Sequence, residues 1–294
     1  MNGVINIIKN TGMTSFDVVA KVRKAAKEKK VGHTGTLDPE ASGVLPICLG
    51  KATKIIDYMM ENEKAYRVTF KLGIVTDTYD LEGKVISEED ASNISKEEIE
   101  KVIAEFIGNI KQVPPMYSAL KQNGVRLYEL ARKGIEVERQ ARDITIYKIE
   151  NLKIEDEISM DVYCSKGTYI RSLCFDIGEK LNVGATMTKL CRIKNGPFTL
   201  ENGVNIENLS EDTIKENIIS IEDALSRFDK IIVNHNFTKL LINGVKVYDK
   251  RLSKEEIENN KLYRVYDDLN TFMGLGRKDS EGFKIEKLLM ENNN

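Results

Sequence analysis

Residues 32–43, GHTGTLDPEASG, hold three glycines and a proline in twelve positions, so this run folds as a structured loop and not as helix or strand. Gly32, Gly35 and Gly43 permit backbone angles closed to other residues, and Pro39 fixes the chain directly after Asp38. Ala41 and Ser42 are small enough for a bulky ligand to come close. Any fold for this chain must therefore carry a structured loop that holds Asp38. By local pattern alone Asp38 could cap a helix, bind a cation or act in catalysis.

The flanking patterns surround that loop with alternating strands and helices. Residues 4–8 read as a short strand, and Val18, Val22 and Ala26 recur on one face of a helix over about 15–30, capped by Thr14 and closed by Lys29-Lys30. A strand is expected at 44–49 and a short helix at 51–60. Tyr66, Val68, Phe70 and Leu72 alternate with Arg67, Thr69 and Lys71, which places Tyr66 on the core side of a strand. Ser95 with Glu98 opens a helix running to about Phe106. Pro114-Pro115 then stops regular structure and begins a basic insertion, roughly 116–142. Strands follow at 143–154 and 157–164, with a turn at Ser165-Lys166-Gly167. Ile170, Leu173, Ile177 and Leu181 mark one helix face. Ser220 caps a short helix ending near Phe228, and short strands around 231–234, 262–267 and 271–276 complete the chain. A domain boundary falls near 229, without a Pro- or Gly-rich linker. No internal repeat is present, and the tail Glu291–Asn294 is expected to be disordered.

Composition excludes more than it selects. The 294 residues are 41% hydrophobic and 31% charged, enough for a large domain and a small one. Apolar runs are short and broken by charge, so no membrane span is expected, and MNGVINIIKN lacks the pattern of a secretory signal; a cytoplasmic protein follows. Cys48, Cys164, Cys174 and Cys191 form no C-x-x-C pair, and His33 and His235 are the only histidines, so no metal site is expected. Gly43 to Lys51 fails as a phosphate loop, because Ala52 stands where a Ser or Thr is required. Asp77, Asp80 and Glu82 miss the spacing of a calcium loop, and no serine nucleophile elbow occurs. The net charge of −2, from 44 basic and 46 acidic residues, argues against a generic nucleic-acid binder. Charge is nevertheless uneven. Lys21, Arg23, Lys24, Lys27, Lys29 and Lys30 fall together, as do Lys121, Arg126, Arg132, Lys133, Arg139 and Arg142, while acids gather in 87–100, 201–223 and 254–258. On its own such clustering is an ordinary solvated face.

A family resemblance narrows these alternatives. GHTGTLDPEASGVLPICLGKATK (32–54) resembles the signature of bacterial tRNA pseudouridine synthases of the TruB family, which convert uridine 55 of the T loop. KAYRVTFKLGIVTDTYDLEG (64–83), QVPPMYSALKQNGVRLYELARKGIEVERQAR (112–142), SKGTYIRSLCFDIG (165–178) and LCRIKNGPF (190–198) resemble further family segments in the same order. The match runs from about residue 4 to 200. Glu40 departs from a usual apolar residue and Ser42 from a common Thr, and neither touches the implied chemistry.

The resemblance implies an α/β (α+β type) fold: a central mixed, mainly antiparallel sheet flanked by helices, with the site in a cleft across it. It implies a catalytic domain at 1–228, a mobile RNA-binding thumb at about 116–142, and a small β-rich PUA-like RNA-binding domain at 229–294. It makes Asp38 the catalytic carboxylate, Tyr66 the tyrosine that stacks on the uracil and moves a proton, and Arg171 the partner of Asp38. Tyr169 and Leu190 then line the uridine pocket, and Lys64 supports that pocket or a nearby phosphate, a plain surface lysine being the alternative. His33 stacks into the space left when the base flips out, at a cost of about a few kcal/mol. Lys121, Arg126, Arg132, Arg139 and Arg142 become phosphate contacts. The implied partner is tRNA, held at the T arm and, through the C-terminal domain, at the acceptor end, by a monomer.

Breaking a C–N glycosidic bond, turning the base and rejoining it through carbon is redox-neutral, so no cofactor is expected. A carboxylate can act there as nucleophile or as stabiliser of positive charge on the sugar. A glycosidase with paired carboxylates would need a second acid such as Glu40 and stacking tryptophans, of which there are none. An RNA chaperone remains compatible with the same residues. A guide-RNA-dependent relative fits less well with the long thumb and compact C-terminus.

Overall fold

The strands that lead to the Gly-rich loop are apolar on both sides, and the fold explains why. A computed structural model describes residues 1–290; the tail at 291–294 lies outside the described residues. Strands β1 (Gly3–Lys9) and β3 (Ser42–Leu49) pair antiparallel, Ile5 opposite Ile47. Ile5, Ile7, Leu45, Ile47 and Leu49 face one core, whereas Val4, Val44 and Cys48 face another. Continuous apolar runs are what a strand covered on both faces requires. By contrast, β4 (Lys64–Leu72) buries Tyr66, Val68 and Phe70 and exposes Arg67 and Lys71, so only one of its faces is covered.

These strands belong to a ten-stranded sheet, ordered Val204–Asn205, β1, β3, Ala185–Asn195, β4, Ile158–Cys164, Arg142–Ile154 and Gly108–Gln112. A short β2 (Val31–His33) adds to β3, and Phe198–Thr199 to Ala185–Asn195. The contacts of β1 with Val204–Asn205 and of β3 with Ala185–Asn195 are parallel; the other pairings are antiparallel. Helix α1 (Ser15–Ala26) and the helices Lys96–Ala104 and Ile170–Lys180 cover one face through Val18, Val22, Ile99, Ile103, Leu173 and Ile177. The mixed sheet with its helices is the expected architecture.

A second sheet, ordered Asp229–Ile232, Leu262–Tyr266, Phe272–Asp279 and Gly282–Leu288, has a core of its own around Ile231, Val265, Met273 and Phe283. It docks on the opposite face of the large sheet, where Leu275 and Leu289 join Val4, Val44, Ile55 and Met59. Tyr58 donates to Glu286 at 3.1 Å and Tyr266 to Glu222 at 2.7 Å across this junction.

Some elements differ from their sequence patterns for identifiable reasons. Helix α1 opens with a reciprocal capping box between Thr14 and Asp17, as its cap residue suggests, but ends at Ala26 and not near 30. Lys27 adopts the left-handed conformation at φ 50° and its N–H closes on Arg23 and Lys24 carbonyls, a cap usually signalled by glycine. The 51–60 helix is a 3-10 turn, Gly50–Ile55, followed by Ile56–Met60. Strand Ala185–Asn195, the hairpin Ile74–Thr76 with Val85–Glu88, helix His235–Ile242 and the last strand escape pattern reading altogether.

The loop leaves the sheet at its centre. Strand β3 meets Ala185–Asn195 only at Ser42 and Gly43, opposite Cys191 and Arg192. Gly43 sits at φ 104°, and a Cβ there would lie 2.2 Å from the Arg192 carbonyl oxygen. Strain from the dihedral alone is about 1–3 kcal/mol, and the clash with a rigid backbone adds to it. Gly43→Ala is therefore expected to lower stability by more than about 2 kcal/mol in urea melts; a change below about 0.5 kcal/mol would contradict the packing described.

Candidate active site

Both neighbours of Asp38 are pinned by the loop's surroundings, while its own side chain stays half-exposed. On one side the Ser15 hydroxyl, at the start of α1, donates to the Leu37 carbonyl at 3.1 Å and accepts the Leu37 N–H at 2.9 Å. On the other, the Pro39 carbonyl accepts from the Gly12 N–H at 3.0 Å and from Lys9 Nζ at 2.9 Å. Lys9 is fully buried, and its ammonium also donates to the carbonyls of Asn10 and Met13. Burial pushes its pKa down to about 8, against the opposing pull of Glu40 and Asp38. A positive charge thus sits beneath the loop, while the Asp38 side chain remains 44% exposed.

That side chain meets Arg171. The Arg171 guanidinium, from the first turn of Ile170–Lys180, lies 3.2 Å from Asp38 Oδ2. Its remaining contacts hold it from three directions. Nη1 donates to the Thr78 carbonyl and to Asp80 Oδ2, each at 3.1 Å, and Nη2 donates to the Tyr117 carbonyl at 2.8 Å. Arg171 is buried, and a planar five-donor fork suits such a junction. Asp80 is held in turn by the Thr78 hydroxyl and the Glu82 N–H. The intervening Tyr79 takes φ 64° and stacks on Phe175 with centroids 4.1 Å apart. A bulky residue in that region costs strain, which clusters where geometry matters.

Tyr66 is buried on β4, opposite Arg192 in the register with Ala185–Asn195. Burial pushes its phenol pKa up and the Arg192 guanidinium opposes that, while Asp38 adds to the rise. Arg192 is itself 1% exposed and has no carboxylate partner among the described residues. Its Nε donates to the Val44 carbonyl at 2.7 Å and Nη2 to the Gly35 carbonyl at 3.1 Å. One buried cation therefore ties the Gly-rich loop to the sheet and sets the field around Tyr66.

The other residues named from sequence have different situations. His33 ends β2; its Nδ1 accepts the Gly35 N–H at 3.2 Å, and burial with nearby Arg192 lowers its pKa, favouring the neutral ring. Tyr169 is the residue before helix Ile170–Lys180, and the Gln112 side-chain amide clamps both its N–H and its carbonyl, at 2.8 and 3.0 Å. Leu190 lies on Ala185–Asn195 opposite Val68, half-buried against the core. Lys64 is not a surface lysine: it is buried, its ammonium donates to the Met60 and Asn62 carbonyls at 2.7 and 2.6 Å, and burial lowers its pKa to about 8.

The basic insertion is a small hairpin, Lys121–Gln122 with Val125–Arg126, followed by helix Leu127–Ala131. Asn123 and Gly124 supply the two positive φ values, 51° and 83°, of its two-residue turn. Lys121, Arg126, Arg132 and Arg142 are exposed, with Arg126 and Arg132 flanking the Tyr128 ring at 5.8 and 5.4 Å. Arg139 is turned inward instead, donating to the Pro114 carbonyl at 3.1 Å and pairing with Glu136. Its placement suits a strut at the base of the insertion better than a phosphate contact.

Asp80, Lys9 and Arg192 are the members that sequence reading passes over. Asp80 is visible there only as part of a failed calcium pattern; Lys9 and Arg192 look like ordinary surface cations.

Comparison with known proteins places the whole chain in a family. The family model of the TruB family pseudouridylate synthase N-terminal domain matches residues 23–170, and that of the tRNA pseudouridylate synthase B C-terminal domain matches 171–231. A tRNA pseudouridine synthase B of Clostridium perfringens (strain SM101 / Type A) is 72% identical over 293 residues, covering 99% of this chain and 100% of the relative. One from Clostridium tetani is 57% identical over 291 residues, with 99% and 100% covered. Among solved structures, a Cbf5-Nop10-Gar1 complex superposes with a TM-score of 0.78 at 27% identity, covering 99% of this chain and 86% of the other. An H/ACA RNP bound to a substrate RNA containing 2'-deoxyuridine gives 0.75 at 26%, with the same coverage.

Proposed function

The chain belongs to the TruB family of pseudouridylate synthases and isomerises uridine to pseudouridine in tRNA, and from that premise we propose that its target is uridine 55 of the T loop and its catalytic group Asp38. The observation that carries the assignment is the Asp38–Arg171 contact at 3.2 Å, with the arginine fixed by Asp80 and two carbonyls. A carboxylate paired this way is held in one orientation, yet exposed enough to meet a substrate.

The reaction conserves atoms. The bond from the sugar to the uracil nitrogen breaks, the base turns, and its carbon 5 bonds to the sugar; the proton leaving that carbon is replaced by one on the freed nitrogen. Asp38 serves as nucleophile or as stabiliser of the positive charge that develops. Tyr66 packs on the base. Its raised pKa keeps the phenol neutral, and the Arg192 field eases transfer of its proton to the freed nitrogen, the phenolate then taking up the proton released from carbon 5. Tyr169 and Leu190 wall the pocket, and His33, neutral, fills the place of the flipped base by stacking. Lys64 acts on the pocket from behind, by fixing the turn that starts β4.

The exposed Lys121, Arg126, Arg132 and Arg142 meet phosphates of the T arm as the thumb closes. Residues 1–228 form the catalytic domain, and 229–294 a PUA-like module on the acceptor end. The enzyme works as a monomer in the cytoplasm. The long thumb and compact C-terminal part favour independence from a guide RNA.

Incubation with an unmodified T-arm stem-loop, followed by mapping of pseudouridine, tests the substrate. Product is expected at the base equivalent to position 55. Product on ribosomal RNA with none on the stem-loop would overturn the assignment.

A further inference from the structure

The lysines that precede β2 are not an undirected solvated face. Lys29, Lys30, Lys51 and Lys54 line one groove of about 420 Å³, outside the site described above. Three segments build it: Asn2, residues 27–30 and residues 50–54. The Gly50 N–H donates to the Lys30 carbonyl at 2.8 Å, and the Lys51 N–H to Asn2 Oδ1 at 2.8 Å. Among the described residues none of these four ammoniums has a carboxylate partner. Glu28, the one acid lining the groove, is taken by the N-terminal ammonium at 2.9 Å. Lys51 and Lys54 instead reach the carbonyls of Met290 and Leu288, at 2.8 and 3.4 Å, which leaves their charge unneutralised.

The groove lies one short strand away from the active-site loop. Lys30 immediately precedes β2, and His33 ends that strand, so the two are about 10 Å apart along extended chain. Helix α1 spans the same interval: Ser15 at its start is bonded to the catalytic loop, and Lys27 at its end borders the groove. Beside His33 stands Phe16, 73% exposed, its ring edge-on to the imidazole at 6.3 Å. The exposed Arg23 and Lys24 follow on α1. A basic strip thus leads from the aromatic pair at the site to the last strand of the C-terminal sheet.

Lysines are compact point charges suited to phosphates and not to reading base edges. We propose that this groove binds backbone phosphates of the same tRNA in the stem beyond the T arm, before the C-terminal module is reached. This rests on tRNA being the substrate, the T loop entering at Asp38.

The test compares a full-length tRNA with an isolated T-arm stem-loop. Both are titrated with the wild-type chain and with a variant carrying Lys29→Gln, Lys30→Gln, Lys51→Gln and Lys54→Gln. Full-length tRNA is expected to bind the variant about ten- to a hundredfold more weakly near 0.1 M salt, with a slope of log affinity against log salt shallower by about 2 to 4. Stem-loop binding and single-turnover rate at saturation should stay unchanged. Equal loss for both RNAs, or loss for neither, would overturn the proposal. So would an equal loss from Lys96→Gln with Lys101→Gln, two exposed lysines on a distant helix. Thermal unfolding checks the fold, and the corresponding four Lys→Arg changes should retain tRNA binding. Wild-type product mapping tests the substrate separately: if no T-arm uridine reacts while tRNA binding still depends on the four lysines, the groove stands and the target position is wrong.

Discussion

Asp38→Asn is expected to reduce pseudouridine formation by at least about 10⁴-fold while leaving fold and tRNA affinity nearly intact. The amide keeps the shape of the side chain but can neither attack as an anion nor stabilise positive charge on the sugar. The loop around it should not move, because its geometry rests on Ser15, Gly12 and Lys9, none of which touches the Asp38 carboxylate. The stability cost should also be small. The Asp38 side chain is 44% exposed, and such half-solvated pairs contribute about 0–1 kcal/mol. Binding should hold or improve slightly, since an incoming phosphate chain then meets one carboxylate fewer. Single-turnover product formation, tRNA titration and thermal unfolding separate these effects. Activity within tenfold of wild type would remove Asp38 from the chemistry. A large fall in melting temperature would make the loss of activity structural.

How much of this was legible beforehand depends on range. The alternation at 66–72 placed Tyr66 inward, as found, because a half-covered strand writes its burial at period two. The glycines and proline of 32–43 likewise announced a loop. Strand Ala185–Asn195 was invisible: its sequence ATMTKLCRIKN mixes buried and half-buried positions and carries two register shifts against β4, which scramble any period. Residue roles at the site were legible only through family resemblance. The local pattern could not tell a capping aspartate from a catalytic one. Arg192 shows why: its neighbours Gly35 and Val44 lie about 150 residues away, as the separations of 157 and 148 record, and no local rule reaches so far. Arg139 reads as a surface cation for a similar reason, its carbonyl partner Pro114 lying 25 residues away, whereas Lys64 is turned inward by the nearby Met60 and Asn62 carbonyls, a local back-turn that no charge pattern announces.

Asp80 supplies the second large effect. Asp80→Asn is expected to lower the rate of pseudouridine formation by roughly 10²-fold, with little change in tRNA affinity. The Asp80 carboxylate is engaged by Arg171, the Thr78 hydroxyl and the Glu82 N–H, which makes it a positioning residue: it holds Arg171 at 3.1 Å while Arg171 faces Asp38. The two side chains of the Asp80–Arg171 pair are 14% and 8% exposed, so the pair is largely dry. Neutralising one member leaves a buried guanidinium short of compensation, and complete loss of a partner in such a setting costs about 3–5 kcal/mol. Asparagine retains an oxygen acceptor, which limits the stability loss to about 1–3 kcal/mol. The guanidinium is then drawn towards its remaining carboxylate, Asp38, and a shift of about 1 Å there is enough for the expected fall in rate. A merely structural role predicts something different: a lower melting temperature with a normal rate in the folded fraction. Coupling decides between them. If Asp80 acts through Arg171, Asp80→Asn combined with Arg171→Lys should be scarcely slower than Arg171→Lys alone, because the second change has nothing left to position. Additive losses in that double mutant would mean that Asp80 and Arg171 serve the reaction independently.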